Sequence, residues 1–443
     1  PYNYTLILKK NRDIAYAGVT RAGLFEFFST KNNNFLYNEF RINLSEVDSL
    51  RFKVIDKRKT DTYGNPKLLY IESVIEKLRG NINIDDVDNK SGRKSYKVPY
   101  PTFKTDSSQS FVYYDRGKYG KRYSRKSFYY KVKPFKLNNL DNFMLDSLDL
   151  RGSLVSGGVF PEIKKPLIVR PDASLGIAVH TGKNGYNTYN QAKTPKGKFI
   201  GRVDLSHNGL RGDGQLRFLG SIAATDTTKL GDSTDYLFYP DRMRAQVKTW
   251  DLTESGGNVQ YPQVTGVKVL QEWMPYMDKM NVKSRDVAFA MYNKKMSFKG
   301  SLVLSPEGLD GKGDAGFDKA RLKSETYTFR QKELSADTAF FAIKSYDSIG
   351  DAFVANKFRA YVNFEKNNAN FAANKGAAIK FPANEYKSTH TKFDWNIVTG
   401  AMKLTAPEAQ SEITRINTIE KTLLANPEVD KTIGIPKFIS LKP

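Results

Sequence analysis

Gly201-Arg-Val-Asp-Leu-Ser-His-Asn-Gly-Leu-Arg-Gly-Asp-Gly214 and Gly300-Ser-Leu-Val-Leu-Ser-Pro-Glu-Gly-Leu-Asp-Gly-Lys-Gly313 agree at seven of fourteen positions, at an offset of 99 residues. Each copy reads as a strand (Val203 to Leu205; Leu302 to Leu304), a turn at Asn208-Gly209 or Glu307-Gly308, and a glycine-rich entry into the next strand. Self-similarity at a fixed offset is the sequence mark of a duplicated structural unit. The expected fold is therefore mainly β: several tandem β-sandwich or β-solenoid-like units sharing a duplicated strand-turn-strand motif.

Outward from the repeat, short apolar runs alternate with polar residues. Phe40-Arg-Ile-Asn-Leu44 and Gly80-Asn-Ile-Asn-Ile-Asp85 alternate at period two, as half-buried strands do. Tyr4 to Leu8 and Gly23 to Phe28 add further runs, while Leu68 to Leu78 fits either a short helix or a strand and turn. Phe358, Ala360, Val362 and Phe364 share one face of a strand. Asn370 to Phe381 repeats that pattern loosely, and Phe393 to Ile397 with Ala401 to Leu404 forms a hairpin turning at Thr399-Gly400. One C-terminal helix closes the chain: Thr405-Ala-Pro-Glu408 is a capping-box pattern, Ile413, Ile416, Ile419 and Leu423 recur at helical spacing, and Asn426-Pro427 ends it. Four segments follow: an N-terminal β-rich region at 1–145, a first β repeat domain at 146–290, a second at 291–405 and a helical tail at 406–443.

At 443 residues the chain exceeds the size over which one core keeps growing. Its 40% hydrophobic and 13% aromatic residues supply enough apolar surface to fold. No run approaches the roughly 18 to 20 apolar residues of a membrane-spanning helix, in keeping with a mean hydropathy of −0.54. The first residues, Pro1-Tyr2-Asn3-Tyr4, lack a basic n-region and an apolar h-region, so an export signal is expected upstream or removed. Cysteine is absent, which removes disulfides, thiolate nucleophiles and cysteine-based zinc sites together.

The formal net charge is +23, from 70 Lys and Arg against 47 Asp and Glu, and it attracts anions over long range. It is concentrated between Tyr113 and Lys136, where nine Lys or Arg meet one acid, Asp115, and interleave with Tyr113, Tyr114, Tyr119, Tyr123, Phe128, Tyr129, Tyr130 and Phe135. Cations set among aromatic rings are what a single-stranded nucleic-acid groove needs. The simpler expectation is a β-hairpin turning at Gly117 to Gly120, aromatic inside and basic outside. Arg116, Lys118, Lys121, Arg122, Arg125 and Lys126 are the candidate anion-binding residues.

Catalytic constellations are not apparent. His180, His207 and His390 are far apart and lack metal-ligand spacing, and His207 is matched by Pro306 in the second copy. Asp310, Asp314 and Asp318 do not have calcium-loop spacing and read as solvated turn acids. The glycines of the repeat lack phosphate-loop spacing, and Arg211-Gly212-Asp213 meets Asp310-Gly311-Lys312 in the other copy, so its likeness to an adhesion tripeptide is coincidence. There is no GxSxG elbow, and a pair of glycosidase carboxylates leaves no mark in a sequence. No catalytic, cofactor-binding or metal site is assigned.

Gly152-Ser-Leu-Val-Ser-Gly-Gly-Val-Phe-Pro161, Lys165-Pro-Leu-Ile-Val-Arg-Pro-Asp-Ala-Ser-Leu-Gly176, Leu205-Ser-His-Asn-Gly-Leu-Arg-Gly-Asp-Gly-Gln-Leu216 and Phe238-Tyr-Pro-Asp241 resemble strings of very large, β-rich exported cell-envelope proteins of Bacteroidota. So do Asp88-Asn-Lys-Ser-Gly92, Phe364-Glu-Lys366, Ile379-Lys-Phe-Pro-Ala-Asn-Glu-Tyr386 and Lys392-Phe-Asp-Trp395. The resemblance spans about residues 70 to 405. It implies a periplasmic or outer-membrane-associated location and a non-catalytic structural or assembly role among other envelope proteins. The charge supports a different expectation: a binding module for an anionic polymer such as lipopolysaccharide, acidic glycan or nucleic acid, or for lipid headgroups. A polysaccharide-acting enzyme is a third expectation.

Overall fold

The structure, a computed structural model, describes residues 5–97, 99–106, 109–190, 197–226, 235–345, 350–405 and 439–440. The protein is mainly β: strands take 60% of the residues and helical turns 4%, and among the described residues no helix reaches seven residues. Thr405, the expected helix cap, ends the strand Met402–Thr405, and the expected helix over 406–426 lies outside the described residues. By its contacts the chain divides into two compact units, residues 1–216 with 227–243, and residues 217–226 with 244–443. Both are built from antiparallel sheet.

In the first unit, the strands Ser49–Thr60, Ile75–Glu76, Ser110–Tyr113, Phe128–Val132 and Gly152–Ser156 lie side by side, and Phe25–Leu36 continues that sheet beyond Ser49–Thr60. Alternation makes the core: Phe25, Phe27, Phe52 and Phe103 face inward and are buried, with Phe25 stacked on Phe52 at 5.2 Å and Phe27 tilted at 54° against Phe103 at 4.7 Å. The stretch from Leu68 to Leu78, open between helix and strand in the sequence, is the end of the strand Pro66–Tyr70, an irregular segment and the short strand Ile75–Glu76.

In the second unit, Met296–Ser305, Gly308–Gly316, Ala320–Phe329, Glu333–Lys344, Asp351–Asn363 and Asn368–Phe381 each pair antiparallel with the next, a meander. Phe358, Ala360, Val362 and Phe364 are buried along one face as their alternation requires, and Phe393 stacks on Phe371 at 4.3 Å. The expected hairpin forms between Lys392–Asn396 and Met402–Thr405. All three tryptophans, Trp250, Trp273 and Trp395, are buried in this unit.

Both copies of the repeat are strand-turn-strand: Gly197–Ser206 and Gly209–Phe218, then Met296–Ser305 and Gly308–Gly316. Their shared glycines face each other across the hairpin. A Cβ on Gly201 would lie 2.0 Å from the Asp213 carbonyl oxygen, and one on Gly300 2.2 Å from that of Lys312. Only hydrogen fits there.

The likeness extends beyond the matching fourteen residues. Phe199 packs against Tyr236 at 5.4 Å (81°) and Phe238 at 5.3 Å (77°); Phe298 packs against Tyr327 at 5.6 Å (88°) and Phe329 at 5.3 Å (77°). The Thr181 hydroxyl accepts the Gly201 N–H at 3.0 Å, and the Ser284 hydroxyl accepts the Gly300 N–H at 2.9 Å. Tyr189 and Tyr292 share a left-handed backbone with φ of 53°, and their hydroxyls donate to the carbonyls of Arg242 and Glu333 at 2.7 and 2.8 Å. Loops of different length separate these parts, so the offset drifts and sequence matching stops at the hairpin.

Candidate functional site

Strands Ser110–Tyr113 and Phe128–Val132 pair with Val112 opposite Tyr130 and Tyr113 opposite Tyr129. Residues 114–127 join them as a long loop with a 3-10 turn at Gly120–Arg122, rather than a tight turn at Gly117 to Gly120. The loop is long because two of its tyrosines are anchors in the core. Tyr114 donates to the Leu175 carbonyl at 3.1 Å. Tyr123 accepts the Leu210 N–H and donates to the Phe238 carbonyl, both at 2.9 Å. Burial raises the pKa of both phenols, so they stay protonated as donors. The loop backbone joins the first repeat hairpin where the Lys118 N–H donates to the His207 carbonyl at 3.0 Å.

Tyr123→Phe removes the donor to Phe238 and leaves the Leu210 N–H without its acceptor in a buried place. Such a loss costs about 1–3 kcal/mol. Chemical denaturation should show a fall of that size, and a change below about 0.5 kcal/mol would mean that the loop is not anchored there.

Tyr114, Tyr123, Phe128, Tyr130 and Phe135 are buried, while Tyr113, Tyr119 and Tyr129 remain half-buried and Arg116, Lys118, Lys121, Arg122, Arg125 and Lys126 are exposed. The arginines are largely neutralised at home. Glu76 meets Arg116 at 3.3 Å and grips Arg125 at 2.7 and 3.0 Å. Asp115 adds a contact to Arg125 at 2.6 Å. Hydrogen bonds to Glu76 and then Asp115 raise the Arg125 pKa still further, and its guanidinium lies 4.4 Å over the Tyr113 ring. Arg122 faces Asp241 at 3.8 Å and the Tyr239 ring at 5.6 Å. Lys118, Lys121 and Lys126 have no ion-pair partner among the described residues. Their charge remains available to anions in solvent.

Elsewhere, the histidines stay apart. His207 Nε2 meets the Ser73 hydroxyl at 3.2 Å, but Ser73 is 1% exposed and accepts the Leu175 N–H at 2.8 Å, which makes this a satisfied buried pair and not an exposed nucleophile. His390 meets Ser388 in the second unit. Among the described residues, no three His, Asp or Glu side chains are grouped to hold a metal ion. The Arg211-Gly212-Asp213 tripeptide is locked: Arg211 pairs with Asp235 at 2.5 Å and Asp213, 9% exposed, with Arg202 at 3.4 Å. Asp310 and Asp314 are on the strand Gly308–Gly316 instead of in turns, because the turn of that hairpin ends at Glu307.

Glu76 is the residue that sequence reasoning missed. It organises two of the six candidate cations from forty or more positions upstream, and an isolated glutamate in a two-residue strand carries no signal of that role. The chain matches no protein-family model, no curated protein and no solved structure.

Proposed function

We propose that the chain is a non-catalytic structural or assembly component of a bacterial cell-envelope complex, part of a very large exported protein of the Bacteroidota kind. The observation that carries this reading is the duplicated module. What recurs in both units is core aromatic packing, glycine contact and backbone anchoring, the parts that hold a scaffold together. Among the described residues no helix is long and apolar enough to cross a membrane. Fractionation of the native host should recover the chain with the envelope and with other envelope proteins. Recovery from the cytoplasm without them would sink the proposal. Replacing His180, His207 and His390 together by Gln should leave its biological activity intact, and complete loss in a folded triple variant would overturn the non-catalytic reading.

The unpaired Lys118, Lys121 and Lys126 favour a second reading, binding of an anionic polymer or lipid headgroups. Neutralising charges on a polyanion releases condensed counterions, so affinity should fall steeply between about 50 and 200 mM salt. Charge reversal at Arg116, Lys118, Lys121, Arg122, Arg125 and Lys126 should flatten that dependence. An unchanged slope would mean that the loop is only a solvated surface.

A further inference from the structure

The outward side of the strands flanking the loop differs from the loop itself. Phe111 and Tyr113 project from one strand and Tyr129 from its neighbour, all half-buried and in mutual contact. Phe111 lies 5.9 Å from Tyr113 with planes only 21° apart, 5.6 Å from Tyr129, and Tyr113 is 6.4 Å from Tyr129. Outward positions of an antiparallel sheet are ordinarily polar, so three touching rings there form a small aromatic platform. Its margin is cationic. Lys77 reaches the Phe111 ring at 5.7 Å, Lys131 the Tyr129 ring at 5.9 Å and Arg125 the Tyr113 ring at 4.4 Å. Lys77 and Lys131 have no ion-pair partner among the described residues.

We infer that this face, with Phe111, Tyr113 and Tyr129 as stacking surface and Lys77 and Lys131 as charge partners, binds a carboxylate-bearing polysaccharide. The inference rests on the anionic-polymer reading above for its class of ligand, and places that ligand on the strand face beside the loop with one ligand chemistry. Sugar rings lay their C–H faces on aromatic planes, and Phe111 and Tyr113, whose planes are 21° apart, offer two such planes in nearly the same orientation. The phenols of Tyr113 and Tyr129 supply hydroxyls for sugar oxygens. The charge is sparse, because Arg125 is already held by Glu76 and Asp115. Two ammonium groups outside any ion pair, with Lys131 in the field of Glu162, suit a polymer with a carboxylate on each sugar. A nucleic-acid strand needs a basic groove that tracks a phosphate at each nucleotide, which this face lacks.

The test measures binding of oligogalacturonate, a maltooligosaccharide of equal length and poly(dT) to the whole chain at about 50 mM salt. Oligogalacturonate should bind best, and Tyr129→Ala should weaken it about tenfold, a loss set by analogy with the removal of a ring that stacks a nucleic-acid base. Because that variant can perturb the sheet, Lys77→Glu with Lys131→Glu, which keeps every ring, should give a comparable loss with an unchanged circular dichroism spectrum. Loss of oligogalacturonate binding in neither variant, but in the reversal of Lys118, Lys121 and Lys126, sinks this inference and leaves the broader anionic-polymer reading standing. Tighter binding of poly(dT) than of oligogalacturonate also overturns it. Binding of no polyanion at all overturns both.

Discussion

Gly300→Val should destabilise the second unit by about 3 kcal/mol or more. A Cβ at Gly300 falls 2.2 Å from the Lys312 carbonyl oxygen and 2.8 Å from the Gly313 Cα. Backbone cannot yield as the end of a flexible side chain can, so the hairpin must separate where Gly300 pairs with Gly313. Overpacking a tight interior ordinarily costs about 1–3 kcal/mol. Valine adds three carbons to a site without room for one, which puts it at or above the top of that range. Gly201→Val should act likewise in the first unit, where the Asp213 oxygen is 2.0 Å from the added carbon. The control is Gly220→Val, where nothing lies within 4 Å of the Cβ but φ is 77°, so it carries backbone strain without a clash. A loss at Gly300 no larger than that at Gly220 would show that the close approach of the two strands costs no more than one strained φ.

Phe199→Ala and Phe298→Ala should each cost about 3–5 kcal/mol, the range for truncating a buried phenylalanine in a core that cannot collapse. Each ring is fully buried and meets one tyrosine and one phenylalanine near-perpendicularly, and each has a second phenylalanine beside it, Phe160 at 6.0 Å and 48° for Phe199 and Phe289 at 6.5 Å and 25° for Phe298. Because the near-perpendicular pairs match in distance and angle and only the additional phenylalanine differs, the two losses should agree within about 1 kcal/mol when each unit's transition is followed by denaturation. A loss at one position twice that at the other would mean that the trios are alike in geometry and different in energetic weight.

Much of the fold was legible because it rests on local pattern. Period-two alternation placed Phe358, Ala360, Val362 and Phe364 on one buried face, and the matching glycines and leucines marked both hairpins. The wider duplication was hidden. Its other parts, Thr181 with Ser284, Tyr189 with Tyr292 and the aromatic pair of each outer strand, are separated by loops of unequal length, and a threonine and a serine can do the same work without being identical.

The basic stretch was legible as composition and not as geometry. Its cations and rings could be counted, but the partition among them is set by Glu76, Asp241 and the carbonyls of Leu175 and Phe238, all distant in sequence. Tyr123 and Tyr129 look alike in the string. Tyr123 is a buried anchor because the Leu210 N–H and the Phe238 carbonyl meet its hydroxyl, and Tyr129 is half-buried on the outer face because of the register of the Phe128–Val132 strand.

The burial of Trp250, Trp273 and Trp395 in the second unit makes the chain's ultraviolet emission selective. Light absorbed by indole alone reports on that unit, and its shift to longer wavelength on heating records the unfolding of that unit and nothing of the other. The first unit contains tyrosine and phenylalanine but no indole, so a tryptophan placed at Phe52 or Tyr130 would give it a spectroscopic voice of its own.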